Sequence, residues 1–140
     1  MLRGFLLKGK TYTPLTVPGS TGTVATGINN KGDIVLYWYD SSGTLNSSIY
    51  DGKTYKPINV PGAMGSLVVD INNEGDTLYQ WLDSAGLFHG ALFHNRKYYK
   101  FDTPKAYQTF AGGINDKQTF AAGSPTQKNG PVSSFRVTFK

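Results

Sequence analysis

The chain of 140 residues has no cysteine, few charged residues and no long apolar run. Without cysteine, a disulfide framework, thiol chemistry and a cysteine-ligated zinc site are all excluded. No apolar run approaches the roughly 18 residues of a membrane-spanning helix, so the sequence predicts no membrane span. Charged residues make up 16% and aromatic residues 14%. This balance argues against disorder and favours a β protein with many short strands.

Histidine is also scarce, and neither His89 nor His94 lies near a Ser-x-Gly nucleophile turn. No His, Asp and Glu residues have metal-ligand spacing, so we predict a protein that is not an enzyme and uses no cofactor or metal. The stretch 70–75, Asp-Ile-Asn-Asn-Glu-Gly, begins like a calcium loop. It fails at the twelfth position, where Trp81 replaces the required Glu, and we interpret it as an Asn-rich hairpin turn.

The sequence does contain a repeat. Ile-Asn-Asn or Ile-Asn-Asp begins at positions 28, 71 and 114, a spacing of 43 residues. The units are 4–46, 47–89 and 90–132, with a partial unit at 133–140, and we place them in a single domain, 1–140. The first two units are identical at 18 of 43 positions, and the third shares 5 with the second. A repeat of this length without a helical pattern predicts an all-β fold, a β-propeller of about three blade equivalents.

Turn residues divide each unit into four short strands. The pattern predicts strands at 24–28, 33–39, 45–50 and 54–60, with copies 43 residues later and no helix beyond a single turn. Gly-containing turns separate them, and Pro-Gly at 18–19 and 61–62 ends the fourth strand because proline cannot donate to the sheet. In the third unit Gln118 stands where Gly32 and Gly75 stand, which leaves the shape of that turn open. Four antiparallel strands correspond to one propeller blade.

These motifs resemble a known family. Gly-Ile-Asn-Asn-x-Gly-Asp, then Asp-Ser-x-Gly, then a small and apolar strand such as 90–93, Gly-Ala-Leu-Phe, and then Pro-Gly are similar to the bacterial extracellular HAF-type repeats. The resemblance covers the chain from Gly4 onward. It implies a propeller-like fold in a secreted or cell-surface protein, and it supplies no catalytic set. Because residues 1–8 are too short for a signal-peptide core, we expect any export signal to have been removed or never present.

Two tryptophans indicate a candidate binding surface. Trp38 and Trp81 occupy equivalent positions near the ends of their strands, beside Asp-Ser turns. Either they pack between blades, or an indole at the mouth of an interblade groove binds a sugar ring by CH–π contact and hydrogen bonds. The candidate ligand-binding residues are Trp38, Asp40, Ser41, Trp81, Asp83 and Ser84. We predict a lectin-like or surface-recognition module, with a purely structural, self-assembling repeat protein as the alternative.

The net charge of +5 raises the question of a polyanionic partner. Basic and aromatic residues alternate at 96–100, Arg-Lys-Tyr-Tyr-Lys, as they do in proteins that bind single strands. However, Tyr98 repeats Tyr12 and Tyr55, and basic residues in hairpin turns are usually solvated. We therefore predict no nucleic-acid partner.

The two ends of the chain are predicted to be complementary parts of one blade. The chain opens with third-type and fourth-type strands, 4–17, and closes with a first-type and second-type pair, 110–124, plus a third-type strand, 134–139. Open sheet edges favour aggregation, so we predict a ring closed head to tail. A homodimer with six blades is favoured and a homotrimer with nine is the alternative. The expected interface residues are Phe5, Leu6, Leu7, Tyr12, Phe120, Phe135, Val137 and Phe139.

Overall fold

The computed structural model describes residues 2–139 and shows an all-β protein, with no helix in that range. No helix that could cross a membrane is present among these residues. The strands are β1 (Gly4–Lys8), β2 (Thr11–Leu15), β3 (Gly22–Ile28), β4 (Ile34–Tyr39), β5 (Leu45–Tyr50), β6 (Tyr55–Pro57), β7 (Gly65–Ile71), β8 (Thr77–Leu82), β9 (Phe88–His94), β10 (Lys97–Phe101), β11 (Phe110–Ile114), β12 (Thr119–Pro125) and β13 (Val132–Thr138).

The strands form four antiparallel sheets, in each of which neighbours in the chain are neighbours in space. Sheet 1 contains β1 and β2, sheet 2 contains β3 to β6, sheet 3 contains β7 to β10, and sheet 4 contains β11 to β13. The strands predicted at 24–28, 33–39 and 45–50 are confirmed as β3, β4 and β5. The strand predicted at 54–60 is shorter and ends at Pro57, which cannot donate to a further ladder bond.

Sheets 2, 3 and 4 share a β-bulge in their first strand. The pairing register shifts between Ala25 and Gly27 in β3, and between Val68 and Asp70 in β7. A third shift, in β11, lies another 43 residues along the chain. A bulge bends its strand and increases the local twist. Each of the three sheets therefore begins with the same change of direction.

The turn after the first strand also has one shape in all three sheets. Gly32 and Gly75 adopt φ values of +87° and +90° there, and Gln118 adopts +50°. Left-handed backbone costs an ordinary residue free energy that glycine avoids. Gln118 gains a compensating contact, because its Nε2 donates to Asp76 Oδ2 at 2.9 Å. The turn at Gln118, whose shape the sequence did not settle, therefore matches the turns at Gly32 and Gly75, and a side-chain hydrogen bond stabilises it.

Two apolar layers lie between the sheets. Between sheets 2 and 3, the buried residues are Val35, Val60, Val68, Ile71, Tyr79 and Ala91. Between sheets 3 and 4 they are Leu78, Leu92, Ala111 and Phe120. Sheet 3 therefore buries both faces, which explains why Leu78 and Tyr79, adjacent in β8, are both fully buried.

Equivalent turns of successive sheets hydrogen-bond to one another. The backbone N–H of Asn30 donates to Asn73 Oδ1, and the N–H of Asn73 donates to Asp116 Oδ1, both at 2.8 Å. The first strands also approach closely, since a Cβ on Gly27 in β3 would lie 2.7 Å from Asp70 Oδ1 in β7. The 43-residue spacing in the sequence thus becomes a direct contact in space.

Candidate functional site

Trp38 lies in an open groove beside sheet 2. The groove has a volume of about 480 Å³ and is lined by Val17, Pro18, Trp38, Ser48, Lys53, Thr54, Tyr55 and Pro57. The half-buried indole is oriented by its own N–H, which donates to Ser48 Oγ at 3.0 Å. Tyr55, which also lines the groove, is held by the backbone N–H of Thr16, which donates to its hydroxyl oxygen at 3.1 Å. The groove thus combines two oriented aromatic rings with nearby hydroxyl groups.

The equivalent indole, Trp81, is covered by other side chains of the same chain. Its ring stacks on His89, with centroids 4.7 Å apart and planes 27° apart. The ammonium group of Lys100 lies 4.0 Å from the ring centroid and donates to the carbonyl of Pro61 at 3.2 Å. The indole N–H donates to the carbonyl of Gly90 at 3.1 Å. Trp81 therefore follows the packing alternative that the sequence left open.

Two substitutions between units account for much of this difference. Lys100 in β10 corresponds to Pro57 in β6, 43 residues earlier, which has no ammonium group to place over an indole, and His89 corresponds to Asn46. Of the other groove residues, Val17, Pro18 and Tyr55 match Val60, Pro61 and Tyr98, whereas Ser48, Lys53 and Thr54 correspond to Ala91, Arg96 and Lys97. Sheets 2 and 3 thus carry two versions of one arrangement: Trp38 lines an open groove, whereas His89 and Lys100 lie against Trp81.

The candidate residues in the turn after Trp38 do not line the groove. Asp40 Oδ1 accepts hydrogen bonds from the N–H groups of Ser42 and Thr44 at 2.9 Å. The hydroxyl of Ser42 holds the pKa of Asp40 below its usual value, and the N–H of Thr44 adds to the effect. Ser41 is exposed on the same turn. Asp40 and Ser41 therefore shape the turn, and Ser48, Thr54 and Tyr55 take their predicted place beside the indole.

Asp83 is connected to Trp81 through His89, whose ring stacks on the indole. His89 Nε2 lies 3.0 Å from Asp83 Oδ2, and His89 Nδ1 lies 2.9 Å from Asp102 Oδ2. A neutral imidazole has one N–H, so both contacts are hydrogen bonds only when the ring is protonated. Burial lowers the pKa of His89, but the two carboxylates outweigh burial and raise it overall. Ser84 is exposed in the turn and stands apart from this cluster.

We expect the stability of the protein to depend on the protonation of His89. Because its pKa is raised on folding, its contribution is complete below the unfolded value of about 6.5 and is lost as pH rises through the folded value. Urea unfolding between about pH 5 and pH 9 should show stability declining across that window. His89→Asn, which copies Asn46 of sheet 2, should flatten the decline. Identical pH profiles for the two proteins would contradict this role.

A second histidine, His94, is bound to a buried carboxylate. Asp76 is 5% exposed, and its Oδ1 lies 2.7 Å from His94 Nδ1. Its Oδ2 accepts from Asn72 Nδ2 and Gln118 Nε2, both at 2.9 Å. Burial favours a higher pKa for Asp76, but these hydrogen bonds outweigh it and lower the pKa. Within the described residues, no group of three or more His, Cys, Asp and Glu side chains is arranged to hold a metal ion.

Neither histidine cluster was predicted from the sequence. In the one-dimensional pattern His89 and His94 are isolated, because their aspartate partners lie on neighbouring strands and turns. The pairing of neighbouring strands could have indicated the His89 contacts, since Trp81 pairs with His89 and β10 runs antiparallel to β9. The sequence stretch that resembles a calcium loop bonds to the next sheet, since Asp70 Oδ2 accepts from the N–H of Ile114 in β11 at 3.0 Å.

In comparisons with known proteins, no family model, no curated protein and no solved structure matches the chain. Function is therefore inferred from the two tryptophan grooves, from the exposed surfaces and from the sequence motifs.

The predicted interface residues fall into two groups. Phe5, Leu7 and Tyr12 of sheet 1 are 58%, 48% and 65% exposed, and form an exposed apolar patch. Leu6 points the other way and lines a cleft against Ala25. The C-terminal members Phe120, Phe135, Val137 and Phe139 are buried or half-buried, and Phe120, Val137 and Phe139 pack against sheet 3 within the chain. Of the predicted interface residues, only members of the N-terminal group have strongly exposed apolar side chains.

Proposed function

We propose that this protein is a non-enzymatic, lectin-like binding module that seats a carbohydrate ring on Trp38. The observation that carries the proposal is the open groove beside Trp38, at a position where the equivalent Trp81 is covered. An aromatic face with hydroxyl groups at its edge suits a sugar, whose C–H groups pack on the ring while its hydroxyls hydrogen-bond. Thr54 and Tyr55 supply hydroxyl groups in the groove and Lys53 an ammonium group, while the buried hydroxyl of Ser48 holds the indole N–H.

The scaffold in this proposal is a β-propeller in which each sheet is a blade. Several observations support it: the sheets are sequential antiparallel meanders, they are 43 residues apart, and their equivalent turns touch. The resemblance of the motifs to HAF-type repeats points the same way and suggests a secreted or cell-surface setting. A binding role without catalysis is favoured because neither His89 nor His94 is hydrogen-bonded to a hydroxyl nucleophile among residues 2–139.

Replacing Trp38 by alanine is expected to weaken carbohydrate binding by more than about tenfold, because a central aromatic platform usually carries much of the binding energy. A glycan array should identify the ligand, and titration calorimetry should compare the variant with the parent protein. Trp81→Phe, which keeps a ring in the covered groove, is the matched control and should bind normally. Equal affinity of Trp38→Ala and parent protein would exclude this site.

A second candidate, a self-assembling structural protein, is favoured by the apolar patch of Phe5, Leu7 and Tyr12 and by the open sheet edges at both ends. β13 pairs with β12 along seven residues and so fills the third-strand position of sheet 4 within the chain. In this proposal, β1 of a second copy adds to the free edge of β13 and makes a shared five-stranded sheet. Two copies then give a ring of six blades, and three copies a ring of nine.

Light scattering after size exclusion tests assembly. We expect a mass twice the single-chain value of 15.3 kDa for the six-bladed ring, or three times that value for the nine-bladed one. Phe5→Ser combined with Tyr12→Ser should return the single-chain mass, because it removes most of the exposed patch. Met64→Ser is the control, since Met64 is 66% exposed but lies outside the patch. A parent protein of 15.3 kDa would reject assembly.

A further inference from the structure

In sheet 3, a lysine of the same chain lies over a tryptophan ring. In sheet 3, the ammonium group of Lys100 lies over the ring of Trp81 and donates to the carbonyl of Pro61. A cation over an indole face is attracted by the negative potential of the ring, and the carbonyl supplies a second favourable partner. The groove beside Trp81 is therefore occupied by a primary ammonium group.

The groove beside Trp38 keeps the ring and the proline but lacks the lysine. Pro18 lines it at the position of Pro61, and Pro57 stands at the position of Lys100. We infer that the ligand of the Trp38 groove is a carbohydrate bearing a protonated amino group, a hexosamine. Its ammonium group takes the place over the indole that Lys100 takes in sheet 3, and the C–H groups next to the amine pack on the remainder of the ring. This inference rests on the proposed lectin-like function and specifies its ligand class.

One charge at the groove opposes the binding of a cationic ligand. Lys53 is the charged residue among those lining the groove, and its ammonium group repels a cationic ligand. Lys53 is exposed at the tip of the hairpin between β5 and β6, so its long side chain can move its charge into water. Asp51 offsets little of this repulsion, because it is engaged by Lys56 at 2.8 Å. Removing the Lys53 charge should therefore strengthen binding of an amino sugar.

Titration calorimetry at about pH 6, where primary amines are protonated, tests the ligand class. The probes are a β-1,4-linked glucosamine tetrasaccharide, its N-acetylated form and cellotetraose. We expect the glucosamine form to bind about fivefold more tightly than the other two, the gain typical of an exposed cation–π contact. Equal binding of all three would overturn the hexosamine inference and leave the lectin-like function standing. Binding of none would overturn both.

Two variants and one control test the place that the ammonium group takes. Pro57→Lys should copy Lys100, fill the groove from within and abolish binding of the glucosamine tetrasaccharide. Met64→Lys, which adds a lysine at an exposed position outside the groove, is the control and should bind normally. Lys53→Ala should bind the same probe more tightly than the parent protein. Circular dichroism melting of each variant establishes that it folds. Retained binding by folded Pro57→Lys, or weaker binding by folded Lys53→Ala, would overturn the inference.

Discussion

Tyr79→Ala is expected to lower the free energy of unfolding by about 3–5 kcal/mol, the usual cost of emptying a large buried site. Tyr79 is fully buried between sheets 2 and 3, in the same cluster as Val35 and Val68. Its ring lies 5.7 Å from that of Tyr98, and its hydroxyl oxygen accepts from Thr77 Oγ1 at 2.8 Å. The substitution removes the largest fully buried side chain, so the two sheets lose much of their contact. Such a loss is a large part of the roughly 5–15 kcal/mol that stabilises a typical domain.

Tyr79→Phe separates the ring from the hydroxyl group. It keeps the apolar contacts and removes one hydrogen bond, so we expect a cost of only about 1 kcal/mol. Chemical denaturation of the three proteins gives both values. If Tyr79→Ala were no less stable than Tyr79→Phe, sheets 2 and 3 would not pack in solution as described.

Asp76→Ala is expected to cost about 2–4 kcal/mol, because it leaves one buried and two half-buried donors without their shared acceptor. The carboxylate of Asp76 accepts from Asn72, His94 and Gln118, which belong to sheet 3 and to the equivalent turn of sheet 4. Its removal thus loosens a contact between two sheets as well as a turn. Denaturation at neutral pH measures the loss.

Asp33→Ala is the matched control for Asp76→Ala. Asp33 occupies the equivalent position in sheet 2, is half-buried, and accepts from a single amide side chain, Asn29 Nδ2, at 3.1 Å. We expect it to cost about 1 kcal/mol, the usual value for one hydrogen bond. Equal losses for the two variants would show that the extra partners of Asp76 contribute nothing.

Most of the strand pattern could be predicted from the sequence because the repeat displays each turn two or three times. Asn, Asp and Gly recur at positions that need left-handed backbone or a side-chain hydrogen bond, and the segments between them alternate. The turn at Gln118 could not be predicted in this way. A glutamine in place of glycine suggests that the turn is lost, because the compensating partner, Asp76, lies 42 residues away in the chain.

The candidate site was only partly predictable. The equivalence of Trp38 and Trp81 was visible, but their different surroundings were not, because they depend on Lys100 crossing to Trp81 and Pro61 from two strands away. Asp40 and Ser41 were adjacent to the indole in sequence, yet the turn directs them away from the groove. Phe120 and Phe139 were expected at an interface because the strand pattern does not show that sheet 4 packs them against sheet 3.

The chain has two tryptophans, so the nitrogen–proton correlation spectrum has two indole signals. Trp38→Phe assigns them by removing one. On addition of the glucosamine tetrasaccharide, we expect the Trp38 signal to move with saturating dependence on concentration while the Trp81 signal stays in place, because Trp81 is covered by His89 and Lys100. If a carbohydrate that binds the protein leaves the Trp38 indole signal in place, the proposal that this groove is the binding site is contradicted.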